Sequence, residues 1–68
     1  MNFQIRQAVK ANVQGQSADE LENVVEDAIK RGEEHLLPGL GVFLEAWWNN
    51  ADQQKRQNFM QDLSKAMA

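Results

Sequence analysis

The chain has no cysteine, one proline, four glycines and a single histidine. Without cysteine no disulfide can staple the fold, and no thiolate is available as nucleophile or zinc ligand, which suits a reducing cytoplasm. Long apolar runs are missing too. Met1 to Arg6 holds no stretch of signal-peptide length, and no later segment approaches the roughly 20 apolar residues of a membrane helix. The composition reads as intracellular and soluble, with no membrane partner. Positive charge is also scarce. Seven Lys and Arg stand against ten Asp and Glu, a net charge of −3, whereas nucleic-acid-binding domains usually carry a basic patch. Nucleic acid is not the partner this balance favours.

A chain of 68 residues has room for one domain, and at that size only about 60% of the unfolded surface is buried on folding. Between the glycines and the proline lie segments of helix formers without strand-like alternation. The expected fold class is all-α, a small bundle of about four helices near 2–14, 17–31, 40–49 and 51–66.

In the first segment Asn2 is a candidate N-cap, Ile5, Ala8, Val9 and Val13 fall near one face, and Gly15 stands where a left-handed C-cap belongs. The second carries the clearest signals. Ser17 followed by Glu20 makes a capping box, and Leu21, Val24, Val25, Ala28 and Ile29 form one apolar stripe before Gly32 ends the helix. Glu26 with Lys30 and Asp27 with Arg31 are spaced to pair along it. The fourth segment is expected to open at Asn50 with Gln53 as a weaker capping box. Asp52 and Arg56 could then pair, while Phe59, Met60, Leu63, Ala66 and Met67 supply an apolar face.

The connection through Leu36-Leu37-Pro38-Gly39-Leu40-Gly41 carries three leucines, more than a surface loop usually has. Because proline disfavours helix at the residue before it and glycine permits unusual backbone angles, Pro38, Gly39 and Gly41 predict a structural bend. The helix behind it, near 40–49, holds Val42, Phe43, Leu44, Ala46, Trp47 and Trp48, with Glu45 its only charge. A helix apolar around most of its circumference belongs in a core or at an interface. Phe43, Leu44 and Trp47 are therefore candidates for a homodimer or protein-partner surface on the 40–48 helix.

Other candidate chemistry is thin. His35 beside Glu33 and Glu34 is the one cluster with a titratable base, and it lacks both a nucleophile and a ligand set for a metal. It reads as a solvated turn. No catalytic residue, metal site or cofactor is assigned. The Pro38-Gly39-Leu40-Gly41 stretch lacks the Gly-Lys-Ser/Thr ending of a phosphate-binding loop and follows no strand. The cations are dispersed, although folding could gather Arg6, Lys10, Lys55 and Arg56 into a weak basic patch.

Several of these stretches together resemble the small acid-soluble spore protein I family of endospore-forming bacteria. Ile5-Arg6-Gln7-Ala8-Val9 with Asn12-Val13-Gln14-Gly15 is similar to the family's opening. Asp27-Ala28-Ile29 and Gly32-Glu33-Glu34 resemble its middle, and Leu37 to Val42 with Glu45 and Trp48 its signature. Phe43-Leu44 inverts the usual order, His35 replaces a lysine, and Trp47 occupies a usually aliphatic site. The resemblance implies a minor, non-catalytic protein made during sporulation and held in the spore core, with Trp48 in the fold's interior. A weak nucleic-acid-binding module of the spore and a homodimerising helical domain are the alternatives. The DNA-coating α/β-type spore proteins are a separate family, and their protease-cleavage motif is missing here.

Overall fold

Local hydrogen bonds set most of the helix boundaries in this chain. A computed structural model describes residues 4–68. The described residues form four helices, α1 (Ile5–Val13), α2 (Ala18–Arg31), α3 (Leu37–Asn50) and α4 (Gln53–Ala66), with a single 3-10 turn at Glu34–Leu36 ahead of α3. There is no strand among them. The candidate cap Asn2 lies outside the described residues.

The start of α2 is a complete capping box. Ser17 Oγ accepts from the Glu20 N–H at 3.2 Å, and Glu20 Oε1 accepts from the Ser17 N–H at 3.3 Å. Two of the four orphan donors of that helix end are thereby satisfied. At the other end Gly32 adopts φ 62°, ψ 22°, and its N–H donates to the Ala28 carbonyl. Gly15 is also left-handed, at φ 80°, one residue beyond the Gln14 cap of α1.

The Leu37-Pro38-Gly39-Leu40-Gly41 stretch is not a bend. It is the opening of α3. The chain has already reversed upstream, at left-handed Gly32 and extended Glu33 (φ −88°, ψ 126°), and the 3-10 turn runs directly into the helix. Leu37 is helical at φ −60°, ψ −39° despite the proline that follows it. Pro38 falls in the first turn, where N–H groups have no intrahelical acceptor, so its missing donor is not felt there. Neither Gly39 nor Gly41 has a positive φ. A Cβ on Gly39 would meet Val9 Cγ2 at 3.9 Å, an ordinary contact, and one on Gly41 would meet nothing within 4 Å.

The opening of α4 also differs from expectation. Its cap is Asp52, whose Oδ1 accepts from the Lys55 N–H at 2.8 Å. Asn50 instead ends α3, its Nδ2 donating to the Ala46 carbonyl at 2.8 Å. An ionised carboxylate is the stronger acceptor, and Ala51 is extended (φ −85°, ψ 147°), which ends one helix before the next begins.

Helix α3 is central. It packs on α1, on α2 and on the 3-10 turn. Val42, 8% exposed, is the one hydrophobic residue that is buried among those described, and none is completely enclosed. Where α1, α2 and α3 meet, a gap of about 230 Å³ remains, lined among others by Val13, Val24, Ala28, Leu40 and Phe43. The radius of gyration is 13.3 Å, against about 11 Å for a close-packed chain of this length. The apolar side chains are thus grouped but loosely enclosed.

The two glycine positions separate a bend from a helix start. Ala at helical, open Gly41 is expected to raise stability, and Ala at left-handed Gly32 to lower it, by about 1 kcal/mol each. That corresponds to a thermal midpoint shift of about 4–8 °C in either direction. Circular dichroism melts of the two variants check this, and a loss at Gly41→Ala would return the bend to residues 38–41.

Candidate functional site

The outer side of α3 follows from its spacing. Leu37, Leu44 and Trp47 lie seven and three residues apart, the pattern of one helix face, while Leu40 beside them lines the gap towards α1 and α2. Gly39 and Val42 occupy the inner side towards α1. Leu44 is left 43% and Trp47 39% exposed. Phe43, grouped with them on the sequence, points elsewhere: it lines the gap between α1 and α2. Successive helical residues point about 100° apart, so Phe43 and Leu44 cannot share one face closely.

Helix α4 joins this side through aromatic contacts. The Trp47 and Phe59 rings lie 5.0 Å apart at an interplanar angle of 50°, and Trp48 meets Trp47 edge-on at 6.4 Å. Arg56 crosses from α4 to the end of α3. Its Nε donates to the Trp48 carbonyl at 2.9 Å and its guanidinium carbon stands 5.2 Å from the Trp48 ring centroid. That single side chain satisfies a C-terminal carbonyl of α3 and stacks as a cation on an indole. Trp48 is half-buried beneath it.

Beyond these contacts α4 adds Met60 and Leu63, 40% and 37% exposed, and the more exposed Met67. Leu44 lies one turn from Trp47, Trp47 touches Phe59, and Phe59 lies one turn from Leu63. The apolar surface is therefore continuous across the two helices. Sequence reasoning recognised the α4 residues as an apolar face but did not place them outside the core. Their spacing of three and four after Arg56 was the available signal.

The four candidate basic residues do not stand free as a patch. Arg6 makes a bidentate contact with Glu45 of α3, Nε to Oε1 at 2.6 Å and Nη2 to Oε2 at 2.8 Å, and this ties α1 to α3. Lys10 also lies on the α1 side that acts on Glu45. Arg56 is engaged by Trp48, and Lys55 lies in the first turn of α4. The exposed His35 meets Glu33 Oε2 at 3.5 Å, and the same oxygen takes Arg31 Nη2 at 3.1 Å. This is a solvated charge cluster at the turn, with no nucleophile beside it. Among the described residues no group of His, Asp or Glu could hold a metal ion, and no helix is long and apolar enough to cross a membrane.

Residues 3–67 match the family described as "Small, acid-soluble spore protein I". Proteins of that name with which the chain aligns over 67 residues, 98% of its length, include one from Halalkalibacterium halodurans, 43% identical with 98% of that protein covered. Another, from Bacillus cytotoxicus, is 45% identical with 96% covered. A third, from Shouchella clausii, is 42% identical with 97% covered. No solved structure matches the chain.

The Arg6 guanidinium holds the Glu45 carboxyl below the usual carboxylate range, chiefly through the hydrogen bond, which outweighs the rise from desolvation; the charges of Arg6 and Lys10 lower it further. A depressed carboxylate stabilises the fold above its unfolded value, about pH 4.3, and the contribution is lost as pH falls through the lower folded value. Glu45→Gln is expected to melt below the wild type at neutral pH and level with it well below about pH 4. Because both groups are exposed, the gap should be small and should shrink in salt of about 1 M. Thermal melts across this range check the pair. A gap that persists in acid would show that the ionised pair is not its source.

Proposed function

The chain belongs to the small, acid-soluble spore protein I family, and we propose that it is a non-catalytic interaction protein of the spore core. The observation that carries this reading is the exposed apolar surface of Leu44, Trp47, Met60 and Leu63 on α3 and α4, joined through the Trp47–Phe59 contact. Soluble monomers rarely present such surfaces without a binding role. Its aromatic and methionine content matches side chains enriched at protein interfaces.

The non-catalytic reading rests on the family, which is that of a small, acid-soluble spore protein. The one histidine is solvated and paired with a carboxylate, and the chain contains no thiol. The guanidinium groups of Arg6 and Arg56 are turned to Glu45 and Trp48, which weakens the case for phosphate contacts. Spore-core placement is in keeping with the family name.

The test follows the protein from its own promoter through sporulation, then fractionates purified spores into coat and core. A tagged chain is expected to appear only in the late stages and to be recovered from the core. Even production during vegetative growth, or recovery with the coat, would overturn the placement. In a parallel titration against duplex DNA, retention at low salt that weakens steeply as salt rises would favour the nucleic-acid alternative.

A further inference from the structure

We propose that the outer face of α3 and α4 is covered by a second copy of this chain, in an isologous dimer. The inference rests on the reading that the protein acts through this face, and it names the occupant.

Area is the first reason. The chain exposes 5,920 Å², whereas a folded monomer of 7.8 kDa exposes about 4,400 Å². The excess, about 1,500 Å², exceeds the ~800 Å² that each partner of a standard interface covers. A closed dimer of standard size therefore covers about half of it. The excess is also localised in part. Leu37, Leu44, Trp47, Met60, Leu63 and Met67 all remain more than a third exposed on α3 and α4 or just beyond it, while Ile29 of α2 is the one other large apolar side chain left as open among the described residues.

Spacing is the second reason. Leu37, Leu44 and Trp47 on α3 lie seven and three residues apart, and Arg56, Met60, Leu63 and Met67 on α4 recur at four and three. Where such rows meet, the three-residue ridges of one helix fit the four-residue grooves of the other at a crossing of about 20°. A second copy supplies both rows in the complementary arrangement by symmetry, since an isologous contact uses the same patch twice.

Charge is the third. Although the net charge is −3, little of it lies on this face. On α4, Lys55, Asp62 and Lys65 lie about 140° or more around the helix from Met60. The rim beside Trp48 and Met60 is formed by Gln53, Gln57 and Gln61. Glu45, the single charge of α3, is held by Arg6 on the other side. The one cation in the α4 row, Arg56, is held on the carbonyl and ring of Trp48, so two copies can meet here with few like charges opposed. A charged partner such as nucleic acid or an acidic peptide would find little to pair with.

The experiment uses the full chain. Sedimentation velocity from about 1 to about 100 µM should show conversion to twice 7.8 kDa. Quenching of tryptophan fluorescence by acrylamide should fall over the same range as Trp47 becomes covered. Leu44→Glu and Met60→Glu, each placing a charge in the apolar contact, should weaken association about tenfold or more. Glu22→Gln, on exposed α2, should leave it unchanged. A monomer throughout the range with constant quenching would overturn the proposal, and so would a dimer equally strong in both charged variants. Quenching of the wild type decides the matter even where a variant loses its helical signal. A monomer that still reaches the spore core would remove the second copy and leave the proposed function in place. Absence from the core would remove that function whatever the state of association.

Discussion

Helix α3 has to be covered from more sides than one, and the other parts of the fold are arranged around that requirement. Its 14 residues carry Glu45 as their single charge, with apolar side chains around most of the circumference. Water tolerates such a helix poorly, because each exposed large side chain forgoes about 1.5–3 kcal/mol of burial. Helices α1 and α2 answer on one side, around Val42 and Phe43. On the other side the chain offers only the oblique contact of α4 through Trp47 and Phe59. A 68-residue chain has too few helices to enclose a rod of this kind, so part of it stays in contact with solvent.

Polar contacts orient the helices where packing is thin. The Arg6–Glu45 pair sits at the edge of the α1–α3 contact and sets its register with two parallel hydrogen bonds, a geometry that lysine cannot reproduce. Arg56 plays a comparable part at the α3–α4 junction. By donating to the Trp48 carbonyl it closes the C-terminal end of α3 and draws α4 across the indole. Neither contact is buried deeply enough to contribute much stability by itself. Their importance lies in direction, since they decide which sides of α1 and α4 face the central helix and so which apolar residues remain outside.

Family membership fits this organisation without explaining it. The relatives share 42% to 45% identity over nearly the whole chain, so the similarity covers all four helices and is not confined to one motif. The stretch from Leu37 to Val42, which weighs most in the resemblance, forms the first turns of α3. Its small residues lie beside the buried Val42, and Gly39 faces Val9 of α1. That stretch builds the central helix and its contact with α1. It does not form a loop that holds a ligand.

The sequence by itself determined what depends on neighbours within one helical turn: four helices, the Ser17–Glu20 capping box, the left-handed stop at Gly32, and the apolar character of α3. Those features rest on hydrogen bonds and side-chain rows spanning three or four residues, so local spacing suffices to read them. The start of α3 was misread because the preference of a pre-proline residue is a weak local signal. A reversal already completed at Gly32 and Glu33 outweighs it. Only the tertiary structure decided that Arg6 meets Glu45 across 39 positions, that Phe43 turns inwards while Leu44 turns out, and that Met60 and Leu63 stay in the open. These outcomes depend on how whole helices cross. Nothing in the spacing within one helix states the angle at which another will lie against it.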